Sequence, residues 1–135
     1  MNKLLVLITI SLWLITPTSS ASYKGNKNIK QCVKQKSVAK ASQCLDIIIE
    51  KTNRELQTWV NNQTFNLEEL GIKTGRMSAL SLFKRSQSDF INYRENNCRW
   101  QYLAISPDIH AGNAYKKCFI LVSRDRIQEL QHIAK

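Results

Sequence analysis

The sequence is poor in glycine and proline, with 4 Gly and 2 Pro among 135 residues. Sandwiches and barrels of short strands need many turns rich in these two residues, so such folds are disfavoured. Acidic residues are also few, because 10 Asp and Glu stand against 20 Lys and Arg and leave a net charge of +10. A chain of this length forms one domain with a modest core, which excludes a large multidomain enzyme.

Residues that could bind a metal or carry out catalysis are scarce as well. There are only two histidines, His110 and His132, and no two cysteines have the Cys-x-x-Cys spacing of a zinc site. No pair of acidic residues has a spacing that argues for two carboxylates held across a cleft. We therefore expect a protein with no enzymatic activity, no cofactor and no metal.

Residues 1–21 have the pattern of a cleaved signal peptide. Lys3 gives a positive start, residues 4–15 form an apolar run, and small residues lead up to Ala21. The run is shorter than the ~20 residues that span a bilayer, which favours cleavage after Ala21 over a membrane anchor. Removing these 21 residues, which hold one lysine and no acid, from 135 residues at +10 leaves 114 residues at +9. We expect an exported protein, periplasmic or secreted, without a transmembrane anchor.

All four cysteines lie in the exported part, at Cys32, Cys44, Cys98 and Cys118. An even number of cysteines in a small exported domain is typical of disulfides. Three connectivities are possible, and we favour Cys32–Cys44 with Cys98–Cys118 because each of these bridges closes a short loop. Each bridge would contribute roughly 3 kcal/mol by restricting the unfolded chain.

Apolar residues recur at steps of three and four along most of the remaining chain, which is the period of an amphipathic helix. The predicted helices cover residues 38–61, 78–103 and 114–133. Gly71 and Gly75 interrupt the period, so residues 62–76 are interpreted as a connection with about one helical turn at 67–70. Gly112 is expected to precede the last helix.

Residues 22–31 are interpreted as a flexible basic arm, and residues 32–135 as the helical domain. The arm leads into a short helix held by Cys32. The predicted fold is therefore all-α: a small disulfide-stapled bundle or hairpin of three main helices plus a short N-terminal helix.

Several residues along the last two predicted helices carry a resemblance to a known family. They are Gln87, Phe90, Tyr93, Arg94 and Cys98, followed by Gly112, Cys118, Ser123, Arg126 and Leu130. In this order and spacing they resemble the lysozyme inhibitor LprI-like N-terminal domain family, with Phe90 where that family usually has tryptophan. The resemblance covers about residues 30–131. It implies an exported, helical, non-enzymatic protein that binds and blocks a lysozyme-like muramidase.

Three polar residues of this motif are expected to have structural roles. Arg94 and Arg126 lie on or beside apolar stripes, where a buried guanidinium needs hydrogen-bond partners. We expect them to clamp helices together through carboxylates such as Asp46, Glu50 or Glu55. Gln87 is expected to hydrogen-bond across helices or to a loop carbonyl.

The net positive charge bears on the choice of partner. Animal lysozymes are themselves strongly basic, so such an enzyme would be repelled at long range unless an acidic patch meets it. Glu68 and Glu69 form the only adjacent acidic pair, and Asp108 lies in the other loop. These three residues are the candidate partner contacts, although a solvated loop or a helix N-terminus would also explain them.

The lysines near the N-terminus favour a different class of function. Six of them precede the first acid, Asp46: Lys24, Lys27, Lys30, Lys34, Lys36 and Lys40. Such a segment attracts anionic envelope polymers through counterion release, whereas nucleic acid is not an expected partner of an exported protein. The sequence leaves open a muramidase inhibitor, a surface module that binds anionic polymer, and an accessory or immunity-type protein for a secreted effector.

Overall fold

The computed structural model describes residues 25–133, with side chains from residue 28 onward. The helices are α1 (Gly25–Val33), α2 (Val38–Thr74), α3 (Ser78–Ile105) and α4 (Ala111–Ile133). No strand occurs within this range, so the predicted all-α fold is confirmed. None of these helices is both long enough and apolar enough to cross a membrane. The predicted signal peptide, residues 1–21, lies outside the described residues.

Helices α2, α3 and α4 run up, down and up, because short connections join each helix to the next. Residues 75–77 make the turn between α2 and α3, and Gly75 adopts a left-handed backbone with φ of 69° that glycine tolerates best. Helix α4 therefore runs parallel to α2. The side-chain amide of Asn113 donates to the carbonyl oxygen of Val38 at 3.2 Å, which ties the starts of these two helices together.

Two apolar clusters hold the bundle together. The first joins α1, α2 and α4 through Ile29, Cys32, Leu45 and Ile120. The second lies farther along α2 and α4, where Leu56, Ile127 and Leu130 are buried against Trp59, Val60, Phe83 and Phe90. Burying a large aliphatic side chain contributes roughly 1.5–3 kcal/mol, so these positions supply much of the stability of a small domain.

Both predicted disulfides are confirmed. Cys32 joins Cys44 across 12 residues, and Cys98 joins Cys118 across 20 residues. The first bridge fastens α1 to α2, and the second fastens α3 to α4. No free cysteine remains among the described residues.

Helix α2 is longer than the sequence predicts, and the predicted connection over residues 62–76 is wrong. The helix continues to Thr74, and its buried stripe continues with Gln63 and Gly71. Neither residue is large and apolar, so the apolar period of the sequence stops before the helix does. A Cβ at Gly71 would collide with Sδ of Met77, so a larger residue there would require the flexible Met77 side chain to move. A glycine interior to a helix costs about 1 kcal/mol relative to alanine.

Other helix boundaries differ from the prediction by smaller amounts. Helix α1 begins at Gly25, so residues 25–31 of the basic arm are helical. Helix α4 begins at Ala111, which places Gly112 inside its first turn instead of before it. Helix α3 continues to Ile105, two residues past the predicted end.

The hairpin of α2 and α3 extends past the described end of α4. Leu130 packs beside Leu56, Trp59 and Val60, and the described part of α4 ends three residues later at Ile133. About ten further residues of α2 therefore extend roughly 15 Å beyond α4, where α3 is their neighbour. We call the end of this hairpin the hairpin tip. It comprises residues 64–84, which are the last part of α2, the turn and the start of α3.

Candidate functional site

Arg94 of α3 is buried at the contact with α4, with only 8% of its surface exposed. Its Nη1 donates to Oγ of Ser123 at 2.9 Å, and its guanidinium lies 3.9 Å from the ring centroid of Phe119. Burial lowers the pKa of Arg94 from its ordinary value, but a guanidinium stays charged near neutral pH. This cation therefore contacts an aromatic face and a hydroxyl in the interior.

Arg126 of α4 makes the reciprocal contact with α3. Its Nε donates to Oε1 of Gln87 at 3.2 Å, and its Nη2 donates to Oγ of Ser86 at 3.2 Å. Its Nη1 also forms an ion pair of 2.8 Å with Glu129, one turn farther along α4. Gln87 thus accepts a hydrogen bond from a neighbouring helix.

Phe90 lies between these two guanidinium groups. The guanidinium carbons of Arg94 and Arg126 are 5.5 and 5.6 Å from its ring centroid. A cation over an aromatic face is attracted by the ring quadrupole, most strongly where water is excluded. An aromatic residue at position 90 therefore fits the two arginines for a physical reason, and phenylalanine can occupy this position in place of tryptophan.

The arginines do not contact the carboxylates that we expected from the sequence. Ion pairs of Asp46 and Glu50 are instead made with Lys116 and Arg54. The expectation was wrong because α2 carries those acids, whereas the Cys98–Cys118 bridge joins α3 directly to α4. The hydrogen-bond partners of Arg94 and Arg126 are accordingly found on α3 and α4.

The remaining motif residues are divided between the interior and the surface. Leu130 is buried in the second apolar cluster, and the amide groups of Asn97 and Gln101 approach Sγ of Cys118 at 3.6 and 3.4 Å. Gly112 is exposed in the first turn of α4. Tyr93 is also on the surface, with 59% of its area exposed.

Tyr115 and Glu95 make a further link between α4 and α3. The Tyr115 hydroxyl lies 2.9 and 2.8 Å from the two carboxylate oxygens of Glu95. Partial burial, and then the hydrogen bond to Glu95, raises the pKa of Tyr115 above its ordinary value of 10.0. The neutral phenol is thus favoured in the folded state.

The raised pKa of Tyr115 predicts a pH-dependent stability. A group with a raised pKa in the folded state contributes stability that is present below the unfolded pKa and is lost as pH rises through the folded pKa. Tyr115→Phe should cost about 1 kcal/mol at pH 8, and this difference should shrink above pH 10. Urea unfolding of both proteins from pH 7 to 11 measures it, with exposed Tyr93→Phe as the control. A difference that stays constant up to pH 11 would contradict the assignment.

The histidines and acidic residues of the described part of the chain do not form a metal site. Within residues 25–133, no three side chains of His, Cys, Asp or Glu converge on a point where they could hold a metal ion. Asp108 accepts a hydrogen bond from the backbone N–H of His110 at 2.7 Å, which shapes the loop between α3 and α4.

Glu68 and Glu69 lie on α2 in the hairpin tip, on the side turned away from α3. Phe65 and Ile72 are on the same side at helical spacing, with 65% and 76% of their surfaces exposed. Glu69 forms an exposed ion pair of 2.6 Å with Lys73. We call Phe65, Glu68, Glu69 and Ile72 the outer face of α2.

Phe65 and Ile72 are not among the predicted contacts, since the sequence pattern predicts a connection over residues 62–76. Once the helix is continuous, the spacing of Phe65, Glu68 and Ile72 at steps of three and four indicates one face. Asp108 is not part of this face. It lies beyond the other end of α3, a helix of 28 residues and about 40 Å.

The opposite end of the molecule is basic. Lys30, Lys34, Lys36 and Lys40 are exposed around α1 and the start of α2, and no acidic residue occurs between positions 28 and 45. The acidic outer face of α2 and these lysines are therefore at different ends of the bundle.

Comparison with known proteins identifies a family for this chain. The family model described as "Lysozyme inhibitor LprI" matches residues 28–130, which is well over half of the chain. This range contains both disulfides, the two motif arginines and the outer face of α2. Neither curated proteins nor solved structures yield a match. The chain therefore belongs to the lysozyme inhibitor LprI family.

Proposed function

We propose that this protein is an exported, non-enzymatic binding protein that inhibits a lysozyme-like muramidase. Its family is described as one of lysozyme inhibitors, and its two disulfides fit a compartment outside the cytosol. In this proposal residues 1–21 are removed on export to the periplasm or the medium. The single observation that supports a binding surface is the outer face of α2.

The outer face of α2 combines features that are typical of a protein contact. Phe65 and Ile72 are large and mostly exposed, one at each end of the acidic pair Glu68 and Glu69. A helix presents such a face to a partner through residues at steps of three, four and seven. Aromatic side chains at the centre of an interface often carry a large share of the binding free energy.

The position of the outer face suits the cleft of an enzyme. The hairpin tip extends past the described end of α4, and the outer face lies on the exposed side of α2. Glu68 would also place negative charge against a basic muramidase and so offset part of the repulsion from the net positive charge, whereas the charge of Glu69 is balanced by Lys73. We propose these two acids, and not Asp108, as the contact with the cleft, because Asp108 lies at the far end of α3.

The proposal is tested by measuring lysis of bacterial cell walls in the presence of the oxidised protein lacking residues 1–21. We expect micromolar protein to inhibit at least one of several muramidases of different charge, and a reduced, alkylated sample to inhibit less. Because both partners are positive overall, the association rate with a basic muramidase should rise as salt screens the repulsion. Unchanged activity of every muramidase would contradict the proposal.

The basic end of the molecule favours a second candidate, the binding of an anionic envelope polymer. The observation behind it is the set of exposed lysines around α1 and the start of α2. For a polyanion, affinity should fall as salt rises, which is opposite to the effect expected on association with a muramidase. Replacing Lys34 and Lys36 with glutamine should weaken binding to a heparin-like polymer at low salt, whereas Lys84→Gln on α3 is the control. Equal binding by all three proteins would contradict this candidate.

A further inference from the structure

A groove with a volume of about 410 Å³ lies between α1 and α4 at the basic end of the molecule. Ile29 and Val33 of α1, together with Leu121 of α4, give it an apolar floor. Pockets for small ligands commonly have volumes of about 300–1,000 Å³. The groove is thus large enough for a ligand and is lined by side chains from two helices.

Lysines flank this apolar floor on both helices. Lys30 lies on α1, Lys34 directly follows the end of α1 at Val33, and Lys117 lies on α4 one turn before Leu121. The lining contains no acidic residue. Apolar and cationic residues therefore alternate along both walls, so the groove complements a molecule that is partly apolar and partly anionic.

The groove has a fixed wall on the α1 side. The Cys32–Cys44 bridge fastens α1 to α2, and Ile29 and Cys32 are buried against Leu45 and Ile120. Even so, 48% of the surface of Val33 and 38% of that of Leu121 remain exposed. Val33 and Leu121 therefore line the groove from opposite sides and leave it open to solvent.

We propose that this groove binds a single acyl chain that carries an anionic headgroup. The chain would cover Ile29, Val33 and Leu121, and the headgroup would lie among Lys30, Lys34 and Lys117. A second groove shares Val33 and Lys117 with the first and continues toward Asn113 and Ile105. A longer acyl chain therefore has an adjoining space to enter. This site is remote from the outer face of α2, so it is independent of the proposed inhibition of muramidases.

Isothermal titration calorimetry tests the proposal. The oxidised protein lacking residues 1–21 is titrated with octanoate, decanoate and dodecanoate, each below its micellar concentration. Because burial of each methylene contributes a fixed free energy, affinity should rise about tenfold for each two carbons. Dodecyl maltoside has the same chain without a charge and should bind at least tenfold more weakly than dodecanoate. An affinity independent of chain length, or equal affinity for the uncharged detergent, overturns the proposal.

Matched variants distinguish the groove from the rest of the basic surface. Lys117→Glu and Leu121→Gln should each weaken dodecanoate binding about tenfold, whereas Lys84→Glu and Leu103→Gln, on the exposed side of α3, should leave it unchanged. NMR of the wild-type protein provides a readout that does not depend on variants, since amide shifts should concentrate in α1 and the first half of α4. Shifts elsewhere, or binding of a heparin-like polymer without binding of dodecanoate, overturn the proposal. Phe65→Ser/Glu68→Lys should bind dodecanoate normally even if inhibition of muramidases is lost or never present.

Discussion

Replacing Arg94 with alanine is expected to lower the free energy of unfolding by about 3 kcal/mol. The change removes a long buried side chain whose guanidinium lies 3.9 Å from the ring centroid of Phe119 and donates to the buried hydroxyl of Ser123. It therefore leaves a cavity, deletes a desolvated cation–π contact and leaves Ser123 without this donor. Urea unfolding of the oxidised proteins at pH 7 measures the loss.

Two further variants separate charge from packing at this position. Arg94→Met keeps most of the aliphatic stem, so we expect about half of the loss seen with alanine. Ser123→Ala should cost about 1–2 kcal/mol and, combined with Arg94→Met, less than the sum of the two single effects. An Arg94→Met protein as stable as the wild type would show that the guanidinium does not stabilise the contact between α3 and α4.

Removing the Cys98–Cys118 bridge by replacing both cysteines with serine is expected to destabilise the protein by about 3 kcal/mol. The bridge closes 20 residues and fastens α3 to α4 beside the two arginines, with Cα atoms 5.4 Å apart. Without it, the unfolded chain gains conformational freedom, and the helix register that brings Arg94 to Ser123 is held by weaker contacts. Chemical denaturation followed by circular dichroism at 222 nm measures the change.

The Cys32–Cys44 bridge provides the matched comparison. It joins the short helix α1 to α2, and α1 packs mainly on α2 and the first apolar cluster. Its loss should therefore increase hydrogen exchange in α1 first, whereas loss of Cys98–Cys118 should increase exchange throughout α3 and α4. Equal exchange patterns in the two variants would contradict the separate roles of the bridges.

The sequence predicts much of this fold because its signals are local. Short spacings predict the pairing of the four cysteines, and apolar periodicity predicts the positions of α3 and of the first half of α2. The second half of α2 is missed because Gln63 and Gly71 occupy buried positions where an apolar residue is expected. Close packing between Gly71 and Met77 depends on the turn that follows, which no local pattern of the helix reveals.

The partners of the arginines were harder to predict for a different reason. A buried cation suggests a carboxylate, yet Arg94 is held by the ring of Phe119 and the hydroxyl of Ser123. Neutral partners of this kind have no distinctive sequence signal, since serine and phenylalanine are common in helices of every kind. Arg126 uses both types, because it bonds Gln87 and also pairs with Glu129.

The residues that carry the family resemblance and the residues proposed to contact a partner lie in different places. The two arginines, Ser123 and the Cys98–Cys118 bridge are buried between α3 and α4, so they cannot reach a protein partner without unfolding. A binding partner must instead use exposed surface, such as the outer face of α2. Substitutions on the outer face of α2 should therefore leave the buried contacts between α3 and α4 intact.

The most direct test of the proposed binding surface compares the inhibition constants of the wild-type protein and the double variant Phe65→Ser/Glu68→Lys against a muramidase. The double variant should raise the inhibition constant about thirtyfold or more, as expected for loss of an interface centre. Its free energy of unfolding should stay within about 0.5 kcal/mol of the wild type, because both side chains are exposed. Asp89→Lys, a charge reversal at an exposed position of α3, should inhibit like the wild type. An unchanged inhibition constant in the double variant, or an equal loss with Asp89→Lys, would contradict the claim that the outer face of α2 binds the enzyme.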